Sequence, residues 1–404
     1  MRMRTVHTIF MKEMKDTLRD RRTLIFMIAV PIVAIPILMM GLSSLMVSQI
    51  EKVQEEKSVV VIQGMGNLPP DLKDILVSAE EISAKSETEF GGGDVQEQLK
   101  AGAIDALVVI PEYFSQAIES ESTTEIEIYY DEAEFSSEFA LGKVRDLLSE
   151  YSDRVVETRL VLREMSQDVI NPFDVSSYNV APTQKVAGEK IGGFLPYIVI
   201  IMCFMGAMYP AIDLAAGEKE RGTLETLLVS PASRGEFVMG KYFVILVTGI
   251  VAALLSMASL TFSLNYMAGE MTKLATQALA IEFDFTTVIL ILMIVLPLAG
   301  IFAATLLSLS IFARSFKEAQ SYITALNMLI LFPAVISLLP GIELDYGLSL
   351  IPVVNVTLII KQAIGGEINW NYVVVAFVST NFLAAITLFF AKKWFEKESV
   401  LFRM

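Results

Sequence analysis

"GEKERGTLETLLVSPASRGEFVMGK" occupies residues 217–241, and the chain is almost wholly apolar on both sides of it. Of the 404 residues, 54% are hydrophobic, which is more than a soluble protein usually contains. A helix needs about 20 apolar residues to cross the hydrocarbon core of a bilayer. Six apolar runs are long enough, and they predict membrane spans at residues 23–48, 190–213, 237–267, 285–313, 320–340 and 371–391.

The first apolar run has the length of a membrane anchor. Its 26 residues exceed the roughly 7–15 apolar residues of a secretory signal, and no small-residue cleavage site follows. Seven Lys and Arg residues precede it, which predicts a cytoplasmic N-terminus. With six spans, the loop at 214–236 and the tail at 392–404 then lie on the cytoplasmic side as well, and both carry bases.

Residues 1–22 have the pattern of an amphipathic helix. Val6, Phe10, Met14 and Leu18 recur every four residues, while most of the charged residues fall elsewhere. This layout is typical of a helix that lies in the membrane interface. The alternative is a short helix packed on protein. We expect the interfacial helix, along the inner leaflet.

Residues 49–189 form the longest stretch between two predicted spans. From Glu51 to Lys190 the chain carries 29 acids and 12 bases, a net charge of −17, and the rest of the chain, with 17 acids and 19 bases, is at +2. About 140 residues is an ordinary domain size. β-Branched runs and helical patterns alternate within it. The stretch is therefore predicted to be a mixed α/β domain, and because it follows the first span we expect it to be extracellular.

Few residues suit catalysis or metal binding. His7 is the sole histidine and Cys203 the sole cysteine, which excludes a zinc site of ordinary ligands, a His-based triad and a disulfide. "GEFVMGKY" (235–242) comes within one residue of the phosphate loop G-x-x-x-x-G-K-[ST], but Tyr242 replaces the hydroxyl residue that would hold Mg²⁺. We expect no cofactor in this chain, a separate source of energy, and Lys241 at the membrane interface.

The polar insert between the second and third runs encodes a short amphipathic helix. Gly222 precedes Thr223, whose hydroxyl can cap a helix, and Glu225 lies in the first turn, where exposed amides favour a negative charge. Three leucines share one face, and Pro231 ends the run. Such a helix, continued into spans on both sides, can pass motion from a soluble partner into the membrane. The alternative is a charged loop that only maintains orientation.

Three segments resemble one family of transporters. "AAGEKERGTLETLLVSPASRGEFVMGK" (215–241) resembles the cytoplasmic signature of type-2 (type V) ABC exporter permeases, in particular the permeases of bacterial sodium-efflux transporters, the NatB family. "KEMKDTLRDRRTLIFMIAVPI" (12–32) and "IPVVNVTLIIKQAI" (351–364) are similar to other parts of that family. The resemblance implies an α-helical polytopic membrane protein with six transmembrane helices and a large domain after the first.

The resemblance also implies how the protein is energised. In that family the insert is a coupling helix seated in a cleft of an ATP-binding subunit, which binds the ATP and Mg²⁺. We therefore expect two copies of this chain, two ATP-binding subunits, no nucleic-acid partner, and export of Na⁺ across a bacterial plasma (inner) membrane. The residues expected to contact the ATP-binding subunit are Glu218, Arg221, Gly222, Thr223, Leu224, Glu225 and Pro231.

Polar residues within membrane helices are candidates for a substrate path, because they are costly there. Gln320, Thr324 and Asn327 share one face of the fifth predicted span and supply oxygen ligands of the kind Na⁺ takes. Asp213, Asn355 and Asn381 are further candidates. The alternative for each is a hydrogen bond between helices. The segment 341–369 carries an amphipathic piece, 353–363, that is too short to span, and we expect a re-entrant or interfacial pair of outer helices there.

Two rival functions remain open. One is an exporter of a lipid, peptide or drug, because few charges in the spans distinguish an ion from an amphiphile. The other is a membrane-anchored sensor or adhesion protein whose outer domain binds a ligand. An ATP-binding subunit that co-purifies with this chain would separate a transporter from a sensor.

Overall fold

The computed structural model describes residues 2–89, 95–166, 169–170, 185, 193–223, 230–273, 285–339 and 341–396. Across these residues, six helices are long and apolar enough to cross a membrane. The predicted number of spans is therefore confirmed. They are span 1 (Arg21–Val53), span 2 (Phe194–Glu220), span 3 (Arg234–Met267), span 4 (Thr286–Phe312), span 5 (Phe316–Leu338) and span 6 (Trp370–Phe395).

The chain divides into two compact units. One, the helical unit, comprises Met1–Ser43 and Val180–Met404, and the other, the sheet unit, comprises Ser44–Asn179. The sheet unit thus lies within the stretch that the sequence sets apart by its acidity. Each unit has its own hydrophobic core.

Spans 2, 3 and 4 form the core of the helical unit. Between 56% and 67% of their apolar stretch is buried, against 17% for spans 1, 5 and 6. Phe204 of span 2 meets Phe302 of span 4 edge to face, with ring centroids 5.4 Å apart, an arrangement that aromatic pairs favour. The outer three spans therefore offer most of their apolar surface to lipid or to another chain.

Span 1 begins at a capped turn. The carboxylate of Asp20 accepts hydrogen bonds from the backbone N–H of Thr23 (2.9 Å) and from its hydroxyl (2.7 Å). Burial acts to raise the pKa of Asp20, but the hydrogen bonds from Thr23 and Arg22 outweigh it, so the pKa is lowered. The following residues, Ile25–Ala34, are π-helical and contain Pro31, which cannot donate a backbone hydrogen bond.

The N-terminal helix, α1 (Met3–Thr17), packs on protein. Its buried residues are Val6, Ile9, Glu13 and Thr17, which recur at helical spacing and contact span 3. Of the stripe expected to face lipid, Val6 is 4% exposed and Leu18 is 47% exposed, while Phe10 and Met14 are half-buried against the core of the helical unit. Part of the stripe is therefore covered by the chain itself, and the position of α1 in the membrane interface stays a prediction.

The sheet unit contains four strands in the order β2-β1-β3-β4. Strand β1 pairs in parallel with β2 and β3, and β4 pairs antiparallel with β3. The strands are β1 (Ser58–Gln63), β2 (Ile82–Ser86), β3 (Ala106–Val109) and β4 (Glu127–Tyr129). The helices are α2 (Pro70–Ser78), α3 (Val95–Lys100), α4 (Phe114–Glu119) and α5 (Phe135–Leu162).

Both faces of this sheet are apolar and covered. Val60 and Ile62 of β1 pack with Leu72 of α2 and Val144 of α5 on one face. Val61, between them in sequence, packs with α3 on the other face. Alternate residues of a strand point to opposite faces, so the continuous run "VVVI" fits a strand buried on both sides. The sequence pattern did not reveal β2.

Two short helices lie between spans 5 and 6, within the segment 341–369. They are α6 (Tyr346–Ser349) and α7 (Val354–Gly365). Helix α7 has 12 residues, too few to cross a bilayer, and almost all of them are buried. Val353, directly before α7, has a positive φ of 74°, which is strained for a β-branched residue.

Candidate functional site

The end of span 2 is fixed to the loop between spans 4 and 5. The ammonium of Lys219 donates to the carbonyls of Ile311 (3.1 Å) and Ala313 (3.3 Å), and the backbone N–H of Phe316 donates to Glu220 Oε2 (2.8 Å). The last carbonyls of a helix lack helical partners, so Lys219 caps span 4. We call the region formed by α1, residues 213–223, 230–241 and 311–318 the base.

Lys241 lies buried in the base, close to the start of span 3. It is 1% exposed, and its Nζ donates to Glu218 Oε1 (2.6 Å) and to the carbonyl of Leu214 (2.7 Å). Glu13 Oε1 of α1 lies 3.9 Å from the same Nζ. The expectation that Lys241 reaches the membrane interface was therefore wrong. Its ammonium is instead held by three groups from span 2 and α1.

The two glutamates beside Lys241 are buried as well. Glu13 is 2% exposed and Glu218 is 6% exposed. Buried ions are unfavourable unless they are paired, and Lys12 supplies a second cation, 3.0 Å from Glu13 Oε1. Burial acts to lower the pKa of Lys12, but its hydrogen bond to Glu13 and the charges of Glu13 and Glu218 outweigh it and raise the pKa. We call Glu13, Glu218 and Lys241, with Lys12 at their edge, the ion cluster.

A π-helical turn, Asp213–Gly217, leads into the ion cluster. Arg221 spans this turn, because its Nη1 donates to Asp213 Oδ1 at 2.8 Å. The hydrogen bond to Asp213 is the main cause that raises the pKa of Arg221. The two side chains are 54% and 38% exposed, so this pair faces solvent while the ion cluster does not. π-Helical turns interrupt α-helices mostly at functional sites.

Span 2 ends in a glycine turn. Gly222 has a φ of +70°, in the left-handed region that ends many helices and favours glycine. The hydroxyl of Thr223 donates to the carbonyl of Glu218 at 3.2 Å. In the described residues Thr223 therefore closes the preceding helix. Its predicted role as the cap of a following helix concerns residues 224–229, which lie outside the described residues.

Span 3 starts at a capping box, a reciprocal pair of hydrogen bonds at a helix start. The backbone N–H of Glu236 donates to Ser233 Oγ (3.3 Å), and the backbone N–H of Ser233 donates to Glu236 Oε2 (3.0 Å). The other oxygen of Glu236 accepts from the backbone N–H of Arg2 at 2.6 Å. The Arg2 guanidinium donates to the carbonyl of Pro231 at 2.7 Å. The N-terminus is thereby attached to the beginning of span 3.

A cleft of about 330 Å³ separates α1 from the end of span 2. Lys12, Glu13 and Asp16 line one side, and Asp213 and Arg221 line the other. Its charged lining consists of four acids and two bases. The part of the chain that the structure describes contains no group of three or more His, Cys, Asp or Glu residues placed to hold a metal ion.

The predicted coupling residues divide into three groups. Arg221, Gly222, Thr223 and Pro231 are exposed at the base. Glu218 is buried and its carboxylate binds Lys241 of the same chain, so we revise its role from direct contact to positioning. Leu224 and Glu225 lie outside the described residues, as do residues 397–404 of the predicted tail.

The predicted path residues lie in separate places. Asp213 is at the base, paired with Arg221. On span 5, Gln320 and Thr324 are exposed, and Asn327 is half-buried with an Oδ1 that has no hydrogen-bond partner among the described residues. Asn381, on span 6, is exposed and donates to its own helix at the carbonyl of Phe377.

Asn355, on α7, is the most buried of the predicted path residues. It is 0% exposed, and its Nδ2 donates to the carbonyl of Ser349 and to the hydroxyl of Thr380, both at 3.0 Å. Its Oδ1 has no partner within the described ranges. Asn355 of α7 therefore forms hydrogen bonds to α6 and to span 6. These contacts fit the alternative to a substrate path, which is a hydrogen bond between helices.

The sequence analysis missed the residues that assemble the base: Glu13, Lys219, Glu220, Glu236 and Lys241. A signal existed for two of them. Glu13 follows Val6 and Ile9 at helical spacing, which places it on the buried face of α1. Ser233 and Glu236 have the S-x-x-E spacing of a capping box. Local patterns gave no signal for the burial of Lys241.

Comparisons with known proteins agree with this architecture. The family model described as "ABC-2 family transporter protein" matches residues 21–391. The "ABC transporter permease protein NatB" of Bacillus subtilis (strain 168) is 28% identical over 399 residues, which is 96% of this chain and 98% of that protein. The "Probable multidrug ABC transporter permease YbhS" of Escherichia coli (strain K12) is 25% identical over 273 residues, 65% of each chain.

The family match includes all six candidate spans almost completely and the whole sheet unit. The similarity to NatB extends over both units as well. A permease of an ABC transporter works with a partner subunit that binds and hydrolyses ATP. With six apolar helices and a base that joins their loops, this chain belongs to the ABC-2 family of transporter proteins and is a NatB-like, multi-pass ABC transporter permease.

Proposed function

We propose that the permease extrudes Na⁺ from the cytoplasm, driven by a separate ATP-binding subunit. The observation that carries this proposal is the similarity to NatB along 96% of the chain, together with the resemblance of residues 215–241 to sodium-efflux permeases. The match to YbhS covers only 65% of the chain. The more extensive similarity favours the sodium-efflux branch.

The base is the proposed cytoplasmic side of the protein. It carries Lys219 and Lys317 at the ends of spans 2 and 5 and Arg221 directly after span 2, and residues 1–22 add seven bases. Positive loops resist translocation. On this assignment both termini are cytoplasmic and the sheet unit is extracellular, in a bacterial plasma membrane.

The proposed docking surface for the ATP-binding subunit is the exposed part of the base. Arg221, Gly222, Thr223 and Pro231 are exposed there, and Leu224 and Glu225 continue the same segment in sequence. The partner would bind the ATP and Mg²⁺, so this chain needs no cofactor. Closure of two partner subunits would push on the segment 217–231 in each of two permease copies.

The proposed substrate path runs between the two copies. Span 5 offers Gln320 and Thr324 on an exposed face, with Asn327 half-buried beside them. Only 17% of the apolar stretch of span 5 is buried in one chain, which leaves this face free for a second copy. Asp213, Asn355 and Asn381 stay secondary candidates, because Asp213 is paired with Arg221 at the base, Asn355 joins buried helices, and Asn381 lies on a different span.

The test is ATP-dependent uptake of radioactive sodium into inverted vesicles that contain this chain and its ATP-binding subunit. We expect uptake with both chains and none without ATP. The R221A/E225A variant should insert normally and lose uptake, and the T324V/N327L variant should lower it. Unchanged uptake in either variant would remove that residue set from the proposal.

A second candidate is the export of a drug or another amphiphile. The similarity to YbhS, which is named a probable multidrug permease, favours it, and the apolar surface of spans 1, 5 and 6 is compatible with it. Sodium counterflow in vesicles separates the two functions. A complex that shows no sodium counterflow but exports a fluorescent drug would support the second candidate.

A further inference from the structure

We call residues 217–236 the coupling segment. Helix α1 contacts the chain at both ends of it. At its C-terminal end, Glu13 belongs to the ion cluster, which includes Glu218 at the end of span 2. At its N-terminal end, Arg2 binds Pro231 and Glu236, where span 3 begins. Arg2 and Glu13 are 11 positions apart, which is about 16 Å along a helix. The two sets of contacts therefore lie three turns of α1 apart.

The middle of α1 lies directly on span 3. A Cβ added to Gly240 would lie 2.5 Å from Ile9 Cγ2 and 2.9 Å from Ile9 Cβ, so only glycine permits this approach. Gly240 is adjacent to Lys241, whose ammonium binds Glu218 of span 2 and approaches Glu13 of α1. Helix α1, span 2 and span 3 thus meet at Gly240 and Lys241, through packing at the first residue and through charge at the second.

The ion cluster favours one arrangement of these elements. A buried ion that loses its partner is strongly unfavourable, whereas an apolar replacement of the whole cluster is not. Any movement that separated α1 or the end of span 2 from Lys241 would leave a buried charge unpaired. The described ends of the coupling segment, residues 218–223 and 230–236, are held by the same helix.

We infer that α1 is a strut that joins the two ends of the coupling segment and moves with them as one body. Lys241 and Glu13 are the positioning residues at one end, and Arg2 and Glu236 are those at the other. The strut holds residues 218–223 and 230–236 together, so that movement of the ATP-binding subunit reaches spans 2 and 3 as movement of one body. The inference rests on the proposed docking of that subunit at residues 217–231.

The experiment measures how strongly the full-length permease, reconstituted with its ATP-binding subunit, stimulates ATP hydrolysis. We expect K241M to lower the stimulation about tenfold, within the range of a typical coupling between sites, while the complex still co-purifies. K241R should keep roughly half of it, because the charge is retained with a different shape. R2A should lower it as well. K393M, which removes an exposed lysine at the end of span 6, is the control.

A neutral variant separates positioning from folding. E13Q/E218Q/K241M leaves no buried charge unpaired, because the side chain of Lys12 is 56% exposed, so it should recover the thermal stability that K241M loses. We expect its ATPase stimulation to stay low. Recovery of both stability and stimulation would mean that the cluster only helps the protein to fold, and wild-type stimulation by K241M would overturn the inference directly.

A glycine variant tests the contact of α1 with span 3 without changing any charge. In G240A the added Cβ would lie within 3 Å of Ile9 and would force α1 away from span 3, so we expect the stimulation to fall while the complex still co-purifies. G41A, where an added Cβ would meet nothing within 4 Å, is the matched control. Wild-type stimulation by G240A would overturn the inference.

The sodium proposal fails separately from this inference. A wild-type complex that hydrolyses ATP in a permease-dependent way but takes up no sodium refutes sodium as the substrate and leaves the strut to be decided by the ATPase readout. Failure of the two subunits to co-purify would refute the docking and the strut together.

Discussion

The ion cluster of the base and the hydrogen bonds of Asn355 on α7 both bury polar groups, but with different chemistry. In the ion cluster, Lys241 and two glutamates are ionisable and almost fully buried. Asn355 binds Thr380 and Ser349 through neutral groups. A charge that loses its partner in a protein interior is much more unfavourable than a neutral group that does. The ion cluster therefore favours one arrangement more strongly than the hydrogen bonds of Asn355 do.

Replacement of Lys241 should have the largest effect on stability. K241M leaves Glu13 and Glu218 buried without the ammonium between them, so we expect a loss of about 3–5 kcal/mol in the free energy of unfolding. Detergent titration of the purified protein measures it. A loss no greater than that of an exposed lysine such as Lys393 would contradict the contrast between the two regions.

Replacement of Asn355 should have an intermediate effect. N355L removes the donor that serves the hydroxyl of Thr380 and the carbonyl of Ser349, and we expect a loss of about 1–3 kcal/mol. The carbonyl of Ser349 still accepts a hydrogen bond from the hydroxyl of Ser379 (3.1 Å), which limits the loss of stability. The same titration measures it. A loss as large as that of K241M would remove the distinction between charged and neutral burial.

The cap of span 1 should have a smaller effect. D20A removes the carboxylate that accepts hydrogen bonds from Thr23, and an N-cap of this kind contributes about 1 kcal/mol. D20N retains a capping oxygen and serves as the matched control. Equal losses in D20A and D20N would indicate that the charge, and not the hydrogen bond, stabilises the turn.

The exposed pair at the base should have the smallest effect. Asp213 and Arg221 are 38% and 54% exposed, and solvent-exposed ion pairs contribute roughly 0–1 kcal/mol. D213N should therefore leave the unfolding free energy nearly unchanged while it lowers ATPase stimulation, because Arg221 loses its position. A large loss of stability would show that this pair belongs energetically to the ion cluster.

The parts of the fold that depend on local length and composition could be predicted from the sequence. Six apolar runs gave six spans, and in the sheet unit the continuous run before Gln63 gave β1. Strand β2, "ISAKS" (82–86), is short and only Ile82 is fully buried, so its pattern is too weak to predict. The π-helical turns at 25–34 and 213–217 arise from packing, and no local pattern indicated them.

The docking role of the coupling residues stays a prediction, and the contacts that assemble the base around them could not be predicted from the sequence. The insert at 217–241 was identified by its charges, but its lysine was placed at the membrane interface. The partners of Lys241 lie 23 and 228 residues away in sequence, and a single sequence does not show which distant residues meet. The burial of Glu218 could not be predicted for the same reason, since its partner Lys241 is distant in sequence. Its proposed role changed from contact to positioning once that burial was seen.

The attachment of Arg2 to Glu236 has a consequence for biosynthesis. The two residues are 234 positions apart, so α1 has no complete docking site until span 3 has been synthesised and inserted. Completion of the base is thus a late event in assembly, and it occurs only in a nascent chain in which span 3 is in place.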